Sequence, residues 1–228
     1  MEPLPPIAEP GARDGRVRRS ERSREAIVGA LLDLIGSGVA APTARQVAER
    51  GGVGIRSVFR HFSEMESLYA AMDARLEREA RRMFLGGERS GSLVERTRGF
   101  VRQRAAVFER IAPFKRAANL QRPRSSFLEQ RHRLLQRELR ADLLSWLPEL
   151  RSADAALVES FDALGSFEAW DRLRTEQALG AKAVVAALER LAIALAGDLE
   201  PGAANRPAGA GAKRRPPARR ARANSGRR

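Results

Sequence analysis

The residues best suited to chemistry lie between positions 43 and 62, TARQVAERGGVGIRSVFRHF. Arg45, Arg56 and Arg60 carry guanidinium forks that match phosphate oxygens and, at a groove edge, guanine O6 and N7. Thr43 and Ser57 supply hydroxyls and His61 a ring N–H. Ile55 and Phe59 supply apolar surface of the kind that meets a thymine methyl or a sugar. This is recognition chemistry rather than bond-breaking chemistry. The chain has no Cys and two His, His61 and His132. Disulfides, thiolate nucleophiles and Cys-ligated zinc or iron–sulfur sites are therefore excluded, and a His-rich metal site or triad is not expected. No P-loop, GxGxxG, GxSxG or HExxH pattern occurs. Glu77 and Glu79 sit at the spacing of a solvated helix face, not of a catalytic carboxylate pair. The expectation is a protein that is not an enzyme, with no catalytic residue, cofactor or metal.

Those side chains need elements to position them. Thr43 and Gln46 have the spacing of a capping box, which starts a short helix with Val47 and Ala48 facing inward. Gly51-Gly52-Val53-Gly54 reads as a tight turn. A second short helix over Ile55–His61 follows, and Val58 and Phe62 form its buried i, i+4 pair. Helix, glycine turn and helix in this order is the helix-turn-helix layout, whose second helix enters a major groove about 12 Å wide. A helix from about Ser20 to Ile35 precedes it, with Ile27, Leu31, Leu34 and Ile35 as its apolar stripe and Gly36 and Gly38 as its stop.

The remainder is helical in period. Further capping boxes are expected at Ser63–Glu66, Ser92–Glu95 and Ser126–Glu129. A long helix after Ser63 carries Leu68, Met72, Leu76 and Met83 on one face and stops at Gly86-Gly87. Helices are then expected over about Leu93–Ile111, Pro113–Gln121, Phe127–Trp146, Asp154–Arg174 and Glu176–Ala196. Period-two strands are lacking, so the fold class is all-α. The organisation expected is a disordered basic arm over 1–18, a helix-turn-helix domain over 19–62, a helical domain over 63–199, and a disordered Arg-rich tail over 200–228. Of the net charge of +14, +8 lies in residues 199–228 and +2 in residues 1–24, and only Lys115, Lys182 and Lys213 are lysines. A polyanionic partner suits this distribution. No apolar run approaches the ~18–20 residues that span a bilayer, and the N-terminal sequence has no signal-like apolar stretch. A cytoplasmic protein with no membrane partner is expected.

The sequence resembles the tetracycline-repressor (TetR) family of transcriptional regulators over about residues 20–70. The resemblance rests on Ile27, Ala30, Gly38, Thr43, Val47-Ala48, Gly52-Val53, Ser57-Val58-Phe59, His61-Phe62, Glu66 and Leu68. It implies a three-helix, homeodomain-like DNA-binding head, a C-terminal helical bundle for effector binding and dimerisation, and repression. The implied DNA contacts are Thr43, Arg45, Ile55, Arg56, Ser57, Phe59, Arg60 and His61, with Arg56 as the candidate guanine reader. Phe59 stands where the family commonly has Tyr, Met65 where it commonly has Lys, and Arg56 where Gly is frequent. Arg56, Arg60 and the N-terminal Arg13, Arg16, Arg18 and Arg19 are expected to compensate for the missing phosphate contacts.

The expected partners are double-stranded DNA, a second copy of the chain and an unknown small-molecule effector. The aromatic residues Phe100, Phe108, Phe114, Phe127 and Trp146 read first as the core of the second domain; the alternative is a pocket lining, for which Met83, Phe100, Arg104 and Phe108 are the candidate effector contacts, Arg104 as the orienting polar group. The last two helices supply the candidate dimer interface through Leu164, Phe167, Trp170, Leu188, Leu191 and Leu195. His132 is expected to be solvated or partner-facing, with the lining of an effector pocket as the lesser alternative. The function expected is that of a dimeric repressor released from a palindromic operator by its effector. The alternative is a non-specific architectural nucleic-acid binder driven by the basic ends.

Overall fold

The computed structural model describes the backbone of residues 10–199 and the side chains of that span other than 10–14, 79–82, 84 and 85. The tail over 200–228 and the first nine residues of the expected arm lie outside the described residues. Among the described residues there are nine α-helices and no strand: α1 (Pro10–Gly36), α2 (Ala44–Arg50), α3 (Ile55–His61), α4 (Met65–Leu85), α5 (Leu93–Gln121), α6 (Ser126–Trp146), α7 (Ala155–Leu164), α8 (Phe167–Thr175) and α9 (Ala181–Ala196). None is long and apolar enough to cross a membrane.

Two capping boxes form as expected. Thr43 Oγ1 accepts from the Gln46 amide at 3.3 Å, while Gln46 Oε1 accepts from the Thr43 amide at 2.9 Å. Ser92 and Glu95 repeat the arrangement at the start of α5. The other two boxes do not form. α4 begins at Met65 with no side-chain cap, and α6 is capped by Ser125, whose hydroxyl accepts from the Leu128 amide. Glu66, expected to cap its own helix, reaches instead to α6: its carboxylate accepts from the Ser125 hydroxyl at 2.6 Å and the Phe127 amide at 2.9 Å. A tertiary partner with two donors outcompetes a local one with one.

Other boundaries also depart from expectation. Residues 10–18 are not a disordered arm but the first turns of α1. Proline is tolerated at a helix start, and arginine is a strong helix former. Arg19 and Arg22 also donate to the carbonyls of Gly15 and Arg18 one turn back. α5 runs unbroken through Pro113. Its cost of about 3 kcal/mol relative to a standard residue is offset by the burial of Val107, Phe108, Ala112 and Ala117 on either side of it. The helix expected over Asp154–Arg174 is two helices. Gly165 ends α7 and Ser166 caps α8 through the Ala169 amide, and α9 starts only at Ala181.

The helices enclose two cores. The first joins Ile27, Leu31 and Ile35 of α1 to Val47, Val58 and Phe62, and then to Leu68 and Met72 of α4, with Ala117 and Leu128 from α5 and α6. The second holds Phe100 and Phe108 of α5, Trp146, Phe161, Phe167, Trp170 and Val184, with α5 packed along α9. Each large apolar side chain fully buried contributes roughly 1.5–3 kcal/mol. α4 serves both cores, because Met83 near its end packs against the second. Three residues separate α3 from α4, so the head is tied directly to this shared helix.

Candidate nucleic-acid interface and the adjoining cavity

The head is built to present one short helix. α2 buries Val47 and Ala48, and the turn after it closes with the Val53 amide on the Ala48 carbonyl at 3.0 Å. Gly52 takes φ +63°, a conformation that side-chain-bearing residues adopt only at a cost. α3 then buries Val58 and ends on Phe62, 3% exposed, while the Arg24 guanidinium lies 5.1 Å above the Phe62 ring. With that face committed inward, the opposite face is fixed. Ile55 and Phe59, one turn apart, remain 43% and 52% exposed, and Arg56 and Arg60 beside them are exposed.

Around this face Thr43 and Arg45 are exposed on the first turn of α2. Ser57 is half-buried and accepts from Arg60 Nη2 at 3.4 Å. Arg50, exposed at the end of α2 and absent from the expected contacts, adds a further cation; only its charge marked it in the sequence. His61 departs from the expected groove-edge role. It is half-buried, its Nε2 is enclosed without a hydrogen-bond partner, and burial, with Arg60 and Arg24 nearby, holds its pKa below 6.5. Apolar side chains left bare between arginines are a surface made for contact rather than for solvent. Arginines at this density attract phosphate.

Of the expected effector set, Phe100, Arg104 and Phe108 line only a very small space in the second core. Phe100, Arg104 and Phe108 are 0%, 4% and 2% exposed in the second core. Phe108 packs edge-on to Phe167 at 5.6 Å, and Arg104 lies 4.9 Å above the Phe100 ring. The Arg104 guanidinium donates to Asp142 at 3.1 Å, to the Gly165 carbonyl at 3.1 Å and to the Leu139 carbonyl. The space left there is about 10 Å³, room for about one water. Interdigitated aromatic rings fill it, which period alone does not reveal. Met83 is half-buried, with its carbonyl taken by Gln103 Nε2. The aromatic anchors expected at the dimer interface share this fate: Phe167 and Trp170 are 2% exposed and Leu188 6% within one chain. Of that set Leu191 is 55% exposed, and Leu164 and Leu195 are half-buried.

A more apolar cavity, about 100 Å³, lies between α4, α5 and α6. Lys115, 8% exposed, points its ammonium at His132 Nδ1, 2.9 Å away. An ammonium can only donate, so Nδ1 accepts, and a neutral His132 carries its proton on Nε2. Burial lowers the pKa of Lys115, and burial followed by the Lys115 charge lowers that of His132. On the facing wall Arg131 meets Asp73 at 2.6 Å and Glu77 at 3.7 Å, both from α4, and Glu138 of its own helix at 3.5 Å. Burial raises the pKa of Asp73 despite the pull of Arg131. Neither Lys115 nor His132 was an expected site residue; the isolated Lys115 among so many arginines was the available signal.

No family model and no curated protein matches the chain. Among solved structures it is similar to a transcriptional regulator from Rhodococcus sp. Rha1, with a TM-score of 0.53 and 21% identity over 77% of this chain and 95% of that one. It is also similar to a TetR transcriptional regulator from Rhodococcus sp. RHA1, with a TM-score of 0.46 and 16% identity over 80% of this chain and 99% of the other. The first likeness establishes the fold: an all-helical head followed by a helical bundle.

Proposed function

We propose that this chain is a sequence-specific regulator of transcription that binds double-stranded DNA through α3. The reading is carried by the outward face of that helix, where exposed Ile55 and Phe59 alternate with exposed Arg56 and Arg60. Arg56 reads a base edge, Ile55 and Phe59 supply apolar contact, and Thr43, Arg45 and Arg60 hold phosphates. The regulator is a homodimeric repressor acting on a palindromic operator, because a groove-reading helix of this kind binds two half-sites about 34–36 Å apart or a multiple of it. Leu191, 55% exposed, with Leu195 one turn on and Leu164 of α7 half-buried, supports α7 and α9 as the dimer face.

Release by a small molecule is a population shift. A ligand held between α4, α5 and α6 biases the position of α4, and with it the spacing of the heads, only to the extent that it binds one arrangement better. The test is selection of duplexes from a random pool, then competition between the selected and a scrambled duplex at fixed salt. A regulator retains the selected duplex against excess scrambled DNA. Equal retention of both would instead identify a non-specific architectural binder driven by the basic charge of residues 200–228.

A further inference from the structure

We propose that the cavity between α4, α5 and α6 takes a small carboxylate bearing one negative charge and an apolar body, its carboxylate seated on Lys115. The walls are mainly apolar, with Met72 and Leu76 from α4 and Ile111 and Phe114 from α5. The charges on those walls are unequally served. Asp73 and Glu77 are both engaged by Arg131. Arg122, at the mouth, is a third exposed and faces Glu129 at 3.6 Å. Lys115 is nine-tenths buried, and its hydrogen-bond partner is a neutral imidazole. Among the described residues its ammonium makes no ion pair, and the carboxylates of Glu168 and Asp73 act on it only from beyond contact.

A buried cation without a counter-charge is costly. An incoming carboxylate supplies that charge and forms a charge-assisted hydrogen bond. One unserved cation calls for one negative charge, and the apolar walls call for a hydrocarbon body. A volume of about 100 Å³ holds a chain of a few carbons, and a single ring enters with modest opening of the mouth. A bare multivalent anion such as phosphate would leave those walls against charge, so it fits poorly.

The ligand's role as the releasing effector rests on the DNA-binding reading above, whereas its binding is measured on the full chain without DNA. Calorimetry with butyrate, hexanoate and benzoate, each against its own neutral amide and against inorganic phosphate, provides the test. The acids are expected to bind about tenfold or more tightly than their amides, the range for a hydrogen bond to a charged group. Lys115→Met is expected to abolish that preference. Amides that bind as well as acids, phosphate that outcompetes the acids, or no saturable binding by any of the three acids would each overturn the assignment. The acid–amide comparison on the unsubstituted chain decides even should the variant fail to fold. Failure of the acids leaves DNA recognition standing, and failure of sequence preference in DNA leaves the carboxylate site standing.

Discussion

The Glu66 carboxylate caps a helix other than its own: it binds the Ser125 hydroxyl and the Phe127 amide, so the first turn of α4 is fastened to the first turn of α6. α4 follows directly on the head, and α6 carries His132 and Arg131 into the cavity. On the function proposed above, the clasp is the route by which a change in the cavity would reach α3. These hydrogen bonds hold the Glu66 pKa below 4.5, with Ser125 the largest contributor.

Glu66→Ala therefore leaves the Phe127 amide and the Ser125 hydroxyl without their acceptor. A lower melting temperature is expected, together with faster amide exchange at the start of α6. Exchange at the start of α2, capped separately by Thr43, should not change. Uniform acceleration across all helices would show that Glu66 is not a local clasp.

Arg104 and Asp142 form a buried pair, 4% and 12% exposed at the side chain. Asp142→Ala strands a guanidinium in the second core, a change that costs about 3–5 kcal/mol in buried pairs. Arg104→Met combined with Asp142→Leu should recover much of that loss, because both buried charges then leave together, and Arg89, which also meets Asp142 at 2.9 Å, is partly exposed to solvent. Chemical denaturation of the three variants measures it, and a double variant as unstable as Asp142→Ala would contradict this account.

Acid should weaken the protein in two separable steps. His61 and His132 have folded pKa values below 6.5, both chiefly through burial. The unfolded chain thus binds more protons than the folded one as pH falls below about 6.5, and stability declines from there down through the folded values. The carboxylates of Glu66 and Glu95, held below 4.5 by hydrogen bonds from Ser125 and Ser92, contribute stability that is lost only below that range. Melting temperatures across pH 5–8 should slope upward, and His132→Gln should flatten part of the slope. An unchanged slope in that variant would assign the effect elsewhere.

Arg56→Ala should cost about 1–3 kcal/mol at a single base pair of the selected duplex. Arg45→Ala should weaken every duplex alike and reduce the salt slope by about one contact. Competition binding with single-base variants separates the two. Uniform weakening by Arg56→Ala would reassign that residue to the phosphates.

Local signals were legible in the sequence, and contacts across the fold were not. The Thr43 and Ser92 caps involve partners three residues away, so spacing alone revealed them. Ser63 and Ser126 carry the same spacing, but the Ser125 hydroxyl and the Phe127 amide claim Glu66 from another helix. The inward and outward faces of α3 follow from Val58 and Phe62 at i and i+4. The filling of the space around Arg104 follows from no periodicity, because Phe167 and Trp170 reach Phe108 from a different helix. The cavity was hidden for the same reason, since Lys115 and His132 meet only when α5 and α6 pack.

α3 has seven residues, about 10 Å of helix at 1.5 Å per residue. Base pairs stack every 3.4 Å, so on the DNA-binding function proposed above one such helix would cover a word of about three letters. A word that short recurs by chance throughout any genome, and no improvement in the contacts of Ile55 or Arg56 can make it rare. Singling out one address requires reading the word again at a set distance, so the information content of the target depends as much on the separation between heads as on α3 itself.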